Sequence, residues 1–335
     1  MSTSRHLTSL RETDAPRIRT LLAAARDLDA ADQPLKGERV ATMFFENSTR
    51  TRTSFAAAAT MLGATVLDAS GSGTSVSKGE SLVDTAHTVA AMGVRVLVIR
   101  HAASGAAELV ARSFHPSVGV SVINAGDGRH QHPTQGLLDA YAFAEATARL
   151  GSLDFTGLRT VLCGDIVSSR VARSTTAVFA ALGSEVTLVG PRAFLPASGA
   201  GFGSRVRLST DLDAEIEAAD AVMMLRTQFE RHTGPSPVAA RAFRARYALS
   251  AERVARLRPD AVILHPGPMN RGVEIDAAAA GDPRSRVAQQ VSAGVRVRAA
   301  VLRDAVQAAG VPLEGHDLSA PNPDTAREPA GVARA

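Results

Sequence analysis

A chain of 335 residues with 45% hydrophobic and 21% charged residues has a globular composition, unlike disordered, collagenous or disulfide-rich chains. Its length suits two domains, no apolar stretch approaches the ~20 residues of a membrane span, and the charged start MSTSRHLTSLRETDAPR lacks a signal peptide's apolar core, which predicts a cytoplasmic protein without a membrane partner. The formal net charge of +4 is spread along the chain without a basic tract, which argues against a nucleic-acid partner.

Short β-rich apolar runs alternate with longer helical patterns. RVATMFF (39–45), ATVLDA (64–69), VRVLVI (94–99) and VGVSVINA (118–125) read as strands. TRTSFAAAATMLG, ESLVDTAHTVAAMG and SGAAELVARSF between them carry apolar residues at three and four spacing and read as helices. All but two of the 37 basic residues are arginine, and one of the exceptions, Lys78, stands between the second run and its following helix; a lysine kept in so arginine-biased a chain marks that loop. A long helix over 134–149 then leads into a second series: LRTVLCG, SEVTLVG, VRLS, DAVMML and DAVILHP. The single cysteine, Cys163, lies in the first of these, excludes an internal disulfide framework and a multi-thiolate zinc site, and reads as a packing residue. A final helix spans roughly 285–308, and the closing residues, rich in Pro, Gly, Ala and Asp, read as a disordered tail. The alternation predicts an α/β protein of two doubly wound parallel-sheet domains joined by bridging helices.

Ligands of open parallel sheets gather beyond the carboxyl ends of the strands, and the polar clusters fall there. Ser48-Thr49-Arg50-Thr51-Arg52 follows the first strand and opens a helix, whose free N–H groups and positive dipole, with hydroxyls and a guanidinium fork, suit a phosphate. The competing reading is a serine cap followed by solvated arginines. Neither GxGxxG nor GxxxxGK[ST] occurs at that turn, so the phosphate belongs to a small metabolite and not to a nucleotide. Arg100-His101 ends the third strand, where an arginine meets the same anion or simply faces solvent. His132, before Pro133-Thr134-Gln135, could donate to a carbonyl oxygen or be a structural histidine, and Gln135 could hold an amide. In the second half, Asp165 with Arg170, then Arg226-Thr227-Gln228, then His265-Pro266-Gly267-Pro268 follow strands. Two arginines from neighbouring strand ends would take one carboxylate each of a dicarboxylate. No carboxylate or histidine cluster has metal-ligand spacing. The pattern predicts a two-domain transferase with a phosphate-bearing donor on the first domain and an anionic acceptor on the second.

The motifs FFENSTRTR, SKGES, HPTQ, GDxxxSR, LRxQxER and HPGPMNRGVEI occur together and in order. With them the chain resembles the catalytic chains of the aspartate carbamoyltransferases, of bacterial type, over about residues 5–308. The resemblance implies the carbamoyltransferase fold, with a carbamoyl-phosphate-binding domain over 1–140 plus 288–308, an aspartate-binding domain over 141–287, and 309–335 as the tail. It implies transfer of a carbamoyl group from carbamoyl phosphate to L-aspartate in pyrimidine synthesis, without cofactor or metal. It also implies a catalytic homotrimer with shared active sites, joined in some assemblies by regulatory chains or a dihydroorotase.

Carried over by position, Ser48, Thr49, Arg50 and Thr51 would cradle the phosphate. Thr51, Arg100 and His132 would polarise the carbamoyl oxygen, and Gln135 with the backbone at Gly267 and Pro268 would hold the carbamoyl amide. Arg170 would bind the aspartate α-carboxylate, with Arg226 and Gln228 near the β-carboxylate. Thr74 or Ser75, with Lys78, would enter from the neighbouring subunit and reach both substrates. Four positions depart from the family pattern: Ala102 stands where proline is frequent, Ser168 where a larger His or Tyr is frequent, Gly267 where some members have a larger residue, and a Thr74/Ser75 pair where the loop serine is expected. The related ornithine enzymes carry a His-Cys-Leu-Pro segment and a Ser-Met-Gly loop that are missing here, and Arg226 would repel an ornithine side chain. A non-catalytic relative of the same fold and a nicotinamide oxidoreductase are the remaining readings; the missing glycine fingerprint disfavours the latter.

Overall fold

A computed structural model describes residues 5–11, 13–29, 31–70, 80–115, 117–227 and 237–310. In chain order the elements are α1 (Ala15–Arg26), β1 (Arg39–Phe44), α2 (Thr49–Met61), β2 (Thr65–Asp68), α3 (Leu82–Ala91), β3 (Val96–His101), α4 (Ala106–Ser113), β4 (Ser121–Asp127) and α5 (Pro133–Ala146). There follow β5 (Arg159–Cys163), α6 (Arg170–Ala181), β6 (Glu185–Val189), β7 (Val206–Ser209), α7 (Leu212–Ile216), β8 (Ala221–Met224), α8 (Pro237–Tyr247), α9 (Ala251–Arg256), β9 (Val262–Leu264), α10 (Ala277–Ala280) and α11 (Val287–Ala309). They form two compact units, one of residues 5–9, 24–134 and 295–310 and one of 10–23 and 135–294. Among the described residues no helix is long and apolar enough to cross a membrane.

Each unit holds one wholly parallel sheet, in the order β2-β1-β3-β4 in the first and β7-β6-β5-β8-β9 in the second. The inner strands β1, β3 and β8, and β4 at the edge of the first sheet, are continuous buried runs without alternation, as required where helices cover both faces of a sheet. The edge strands β2 and β7 are short and partly exposed. In the first unit Met43, Leu97, Ile99 and Val122 pack with Val89, Val110 and Phe114. In the second, Val161, Cys163, Val222 and Met224 pack with Phe243, Tyr247 and Ile263, beside a cluster of Phe143, Phe155 and Phe179 with ring centroids 5.0–5.4 Å apart. Cys163 is fully buried, and desolvation pushes its thiol pKa up, so it is the packing residue its sequence context implied.

The helical patterns at 134–149 and 285–308 correspond to α5 and α11 within a few residues. The fourth strand differs: it runs from Ser121 to Asp127, because its ladder with β3 begins at Val96↔Ser121. Its polar end stays in the sheet because Asn124 Nδ2 donates to Asp127 Oδ1 at 2.8 Å and to Thr8 O at 2.9 Å. Helices α1, α6, α7, α8, α9 and α10 have no separate expectation in the sequence pattern.

The segment ahead of α1 is pinned to β4. Leu7 exchanges backbone bonds with Val122 and Asn124, and Val122 N–H donates to His6 Nδ1 at 3.0 Å. Arg5 anchors the same stretch through Val118 O and Phe114 O. Burial, reinforced by the Arg5 charge and only partly opposed by Glu108, lowers the His6 pKa to about 4. The folded chain therefore refuses a proton that the unfolded chain takes up near pH 6.5. This contribution to stability is complete above pH 6.5 and is lost as the pH falls towards about 4, at a cost of at most ~3 kcal/mol. Urea midpoints compared between the native chain and His6→Asn, whose amide oxygen can still accept from Val122, should coincide above pH 6.5 and diverge towards pH 4, where the variant keeps the stability that the native chain loses. Equal pH dependence in both would assign the effect to other groups.

Candidate active site

Strand order reverses between β1 and β3 in the first sheet and between β5 and β8 in the second, and these are the places where such sheets bind ligands. At the first switch point the chain leaves β1 at Phe44 and enters α2 at Thr49. Ser48 occupies the N-cap position, but its hydroxyl makes no cap bond, which counts against the simple capping reading. Thr51 is buried, whereas Thr49 and Arg50 are exposed. The first-turn amides of α2 thus stand beside two threonine hydroxyls, the Ser48 hydroxyl and a guanidinium, a donor set for a polyanion.

Arg100 lies on the neighbouring strand, in register with Phe44, and is only 9% exposed. Its Nη1 donates to Ala125 O at 3.2 Å and its Nε stands 3.4 Å from Glu46 Oε2. Burial at a switch point excludes the solvent-facing alternative. The turn after it, which includes Ala102, is closed by Ala103 N–H donating to His101 Nδ1 at 2.9 Å. The β3–β4 ladder shifts register between Ile99 and His101, a bulge of the kind that re-aims side chains beside sites.

His132 is 4% exposed and follows a turn organised by Asp127, a residue the sequence reading did not single out as an organiser. Asp127 Oδ1 accepts from Asn124 Nδ2 and Gln131 N–H, and Oδ2 accepts from Gly105 N–H at 2.6 Å and contacts His130 Nδ1 at 3.0 Å. Burial alone would raise its pKa, but the bonds from His130 and Asn124 overcome this and hold the carboxyl below its usual value. The signal available in the sequence was the Asn-x-x-Asp pair at the end of an apolar strand. The adjacent Thr134 is fully buried, and its hydroxyl has no hydrogen-bond partner among the described residues.

In the second unit, Arg170 is the first residue of α6 and is 9% exposed. Ser169 caps that helix by accepting from Ala172 N–H, and Ser168 N–H donates to Asp165 Oδ1, so the loop after β5 is internally tied. Ser168 is itself buried, so the residue that departs from the family pattern is packed inside this loop. Arg226 follows β8, whose end is held to β5 by Leu225 N–H donating to Cys163 O at 2.8 Å. The two arginines therefore come from the loops that flank the second switch point. Gln135 is 8% exposed and donates through Nε2 to Asp139 Oδ1 at 2.7 Å. The His265–Pro268 segment follows β9, where Gly267 has φ +65°, a left-handed conformation that favours glycine. Thr74, Ser75, Lys78 and Gln228 lie outside the described residues, as do residues 311–335. Among the described residues no group of three or more His, Cys, Asp or Glu is placed to hold a metal ion.

Fold and site define a protein of two α/β units with arginine and hydroxyl side chains gathered at the switch point of each sheet. Residues 5–145 match the aspartate/ornithine carbamoyltransferase carbamoyl-P binding domain, and residues 156–304 match the Asp/Orn binding domain of the same family. The catalytic subunits of aspartate carbamoyltransferase from Mycolicibacterium smegmatis and Corynebacterium urealyticum are 52% and 51% identical, over 80% of this chain and 83% and 82% of theirs. Among solved structures, the catalytic subunit of M. jannaschii aspartate transcarbamoylase superposes with a TM-score of 0.77 at 30% identity, covering 90% of this chain and 98% of that one. The chain belongs to the aspartate/ornithine carbamoyltransferase family.

Proposed function

We propose that this chain transfers the carbamoyl group of carbamoyl phosphate to the amino group of L-aspartate, giving N-carbamoyl-L-aspartate and phosphate in pyrimidine biosynthesis. The observation that carries the choice of acceptor is the pair Arg170 and Arg226 on the loops flanking the β5/β8 switch point, which suits a dicarboxylate and opposes a cationic side chain. The names of the relatives that are about half identical agree with it.

In this mechanism the first unit holds carbamoyl phosphate through Ser48, Thr49, Arg50 and Thr51. Arg100, Thr51 and His132 donate to the carbamoyl oxygen. Attack by the neutral amine forms the C–N bond and places negative charge on that oxygen, which these donors stabilise. Collapse breaks the bond to the phosphate oxygen, and the departing phosphate leaves against Arg50 and accepts the proton of the new ammonium group. Arg170 holds the aspartate α-carboxylate, with Arg226 and Gln228 near the β-carboxylate. Lys78, with Thr74 or Ser75, reaches this site from a neighbouring copy in a homotrimer that works in the cytoplasm. Regulatory chains or a dihydroorotase are candidate further partners. The organisation of positioned cations and hydroxyls requires neither a covalent intermediate nor a cofactor.

Product formation by the purified chain, with carbamoyl phosphate and either L-aspartate or L-ornithine, tests the proposal. Carbamoyl aspartate is the expected product and citrulline should not form. Turnover with ornithine, or with neither amine, would overturn it.

A further inference from the structure

We propose that Asp139, which no step of the reaction above uses, is a positioning residue that makes the amide end of the site accept hydrogen bonds and not donate them. The inference rests on the functional reading in that Gln135 and the His265–Pro268 segment are taken to face the carbamoyl amide. Asp139 is fully buried on α5, and its carboxylate ties three elements of the second unit together. Oδ1 accepts from Gln135 Nε2 and from Gln290 Nε2, both at 2.7 Å, and Oδ2 accepts from Thr175 Oγ1 at 2.6 Å. The reach to Thr175 depends on close approach of α5 and α6, where a Cβ on Gly136 would stand 2.5 Å from Ser174 O.

An ionised carboxylate only accepts, so it dictates which end of each primary amide faces it. For Gln290 the choice has independent support, because its Oε1 accepts from His265 N–H at 2.9 Å. Gln135, with its NH2 drawn onto Asp139, is left with its carbonyl oxygen to offer a ligand. The strand-end segment has the same polarity. His265 N–H is spent on Gln290, Gly267 N–H donates to His265 Nδ1 at 2.8 Å, and Pro266 and Pro268 have no N–H. From His265 to Pro268 the backbone can therefore present carbonyls alone. The His265 ring is held in turn by Glu274, with Nε2 3.2 Å from Oε1, and the same oxygen accepts from Asn270 N–H. Asp139 and Gln290 thus join Gln135 to this donor-free segment. Such an environment recognises a terminal –NH2, with two protons to give, and discriminates against an acyl phosphate that ends in methyl.

Calorimetric titration with two stable probes tests this: phosphonoacetamide, which ends in an amide, and acetonylphosphonate, its methyl ketone counterpart. The unmodified chain should bind the amide more tightly. In Asp139→Leu, which takes the shared acceptor away from both glutamine amides, phosphonoacetamide affinity should fall about tenfold or more as Gln135 is no longer held with its oxygen free for a ligand, while acetonylphosphonate changes less than about threefold. Gln290→Met, which leaves the Gln135 bond intact, should move the ratio the same way by a smaller factor and carries the test if Asp139→Leu does not fold. Equal weakening of both probes, or an unchanged ratio, would overturn the proposal and reduce Asp139 to a packing role. The assay with carbamoyl phosphate and aspartate runs in parallel on the unmodified chain. No turnover with the probe ratio still governed by Asp139 would overturn the reaction and not this inference. Turnover with a ratio indifferent to Asp139 would do the reverse.

Discussion

Arg50→Ala should fold normally and lose about 10³-fold in kcat, the scale expected when a preorganised donor to developing charge is removed. Arg50 lies in the first turn of α2 and is exposed, so its truncation opens no core cavity. The loss falls on kcat because negative charge on the departing phosphate is greatest after the bond has begun to break, when the guanidinium does most. Steady-state rates at saturating carbamoyl phosphate and aspartate, with a thermal melt as the folding control, measure it. A fall of less than tenfold would remove Arg50 from the phosphate site. The same variant tests the shared site. Mixing dissociated Arg50→Ala and Lys78→Ala subunits and reassembling them should restore ~25% of native activity, the random-mixing fraction when each site of a cyclic trimer draws on two neighbours. Recovery of none would place Lys78 in its own subunit's chemistry, and full activity of Lys78→Ala alone would place it outside the site.

Arg226→Ala should raise the KM for aspartate about 100-fold or more and leave the KM for carbamoyl phosphate within about twofold. Loss of one partner from a charge-assisted pair costs roughly 2–5 kcal/mol, and here the loss falls on the acceptor alone. Arg226 follows β8 at the second switch point and is partly exposed, so the effect is local. Asparagine serves as the second arm. If Arg226 meets the β-carboxylate, the variant should discriminate far less between aspartate and asparagine than the native chain does. A variant that keeps its preference would move the β-carboxylate to another residue.

The apolar runs of the central strands were legible because a sheet covered on both faces needs uninterrupted burial, and the helices between them because their apolar residues recur at three and four. The phosphate turn was legible for a related reason: hydroxyls and arginine crowded where a strand ends and a helix begins leave few other uses. The boundary of β4 was not, since Gly126 and Asp127 look like loop residues until Asn124 is seen to bind both. Asp139 was equally hidden. Within Thr-Gln-Gly-Leu-Leu-Asp it reads as one acid on an apolar helix, and only packing against Thr175 and Gln290 makes it a hub.

By itself the sequence determined the α/β class, the two series of strands and the families of residues able to bind phosphate and carboxylate, because periodicity and local donor density are properties of neighbours along the chain. Only the tertiary structure decided strand order, hence which loops flank each switch point, and with it that Arg100 is buried beside the end of β1. It also decided which atoms of Gln135, Gln290 and the His265–Pro268 segment remain to meet a ligand. Those facts depend on hydrogen bonds between residues as much as 151 positions apart, and no local pattern encodes such pairings.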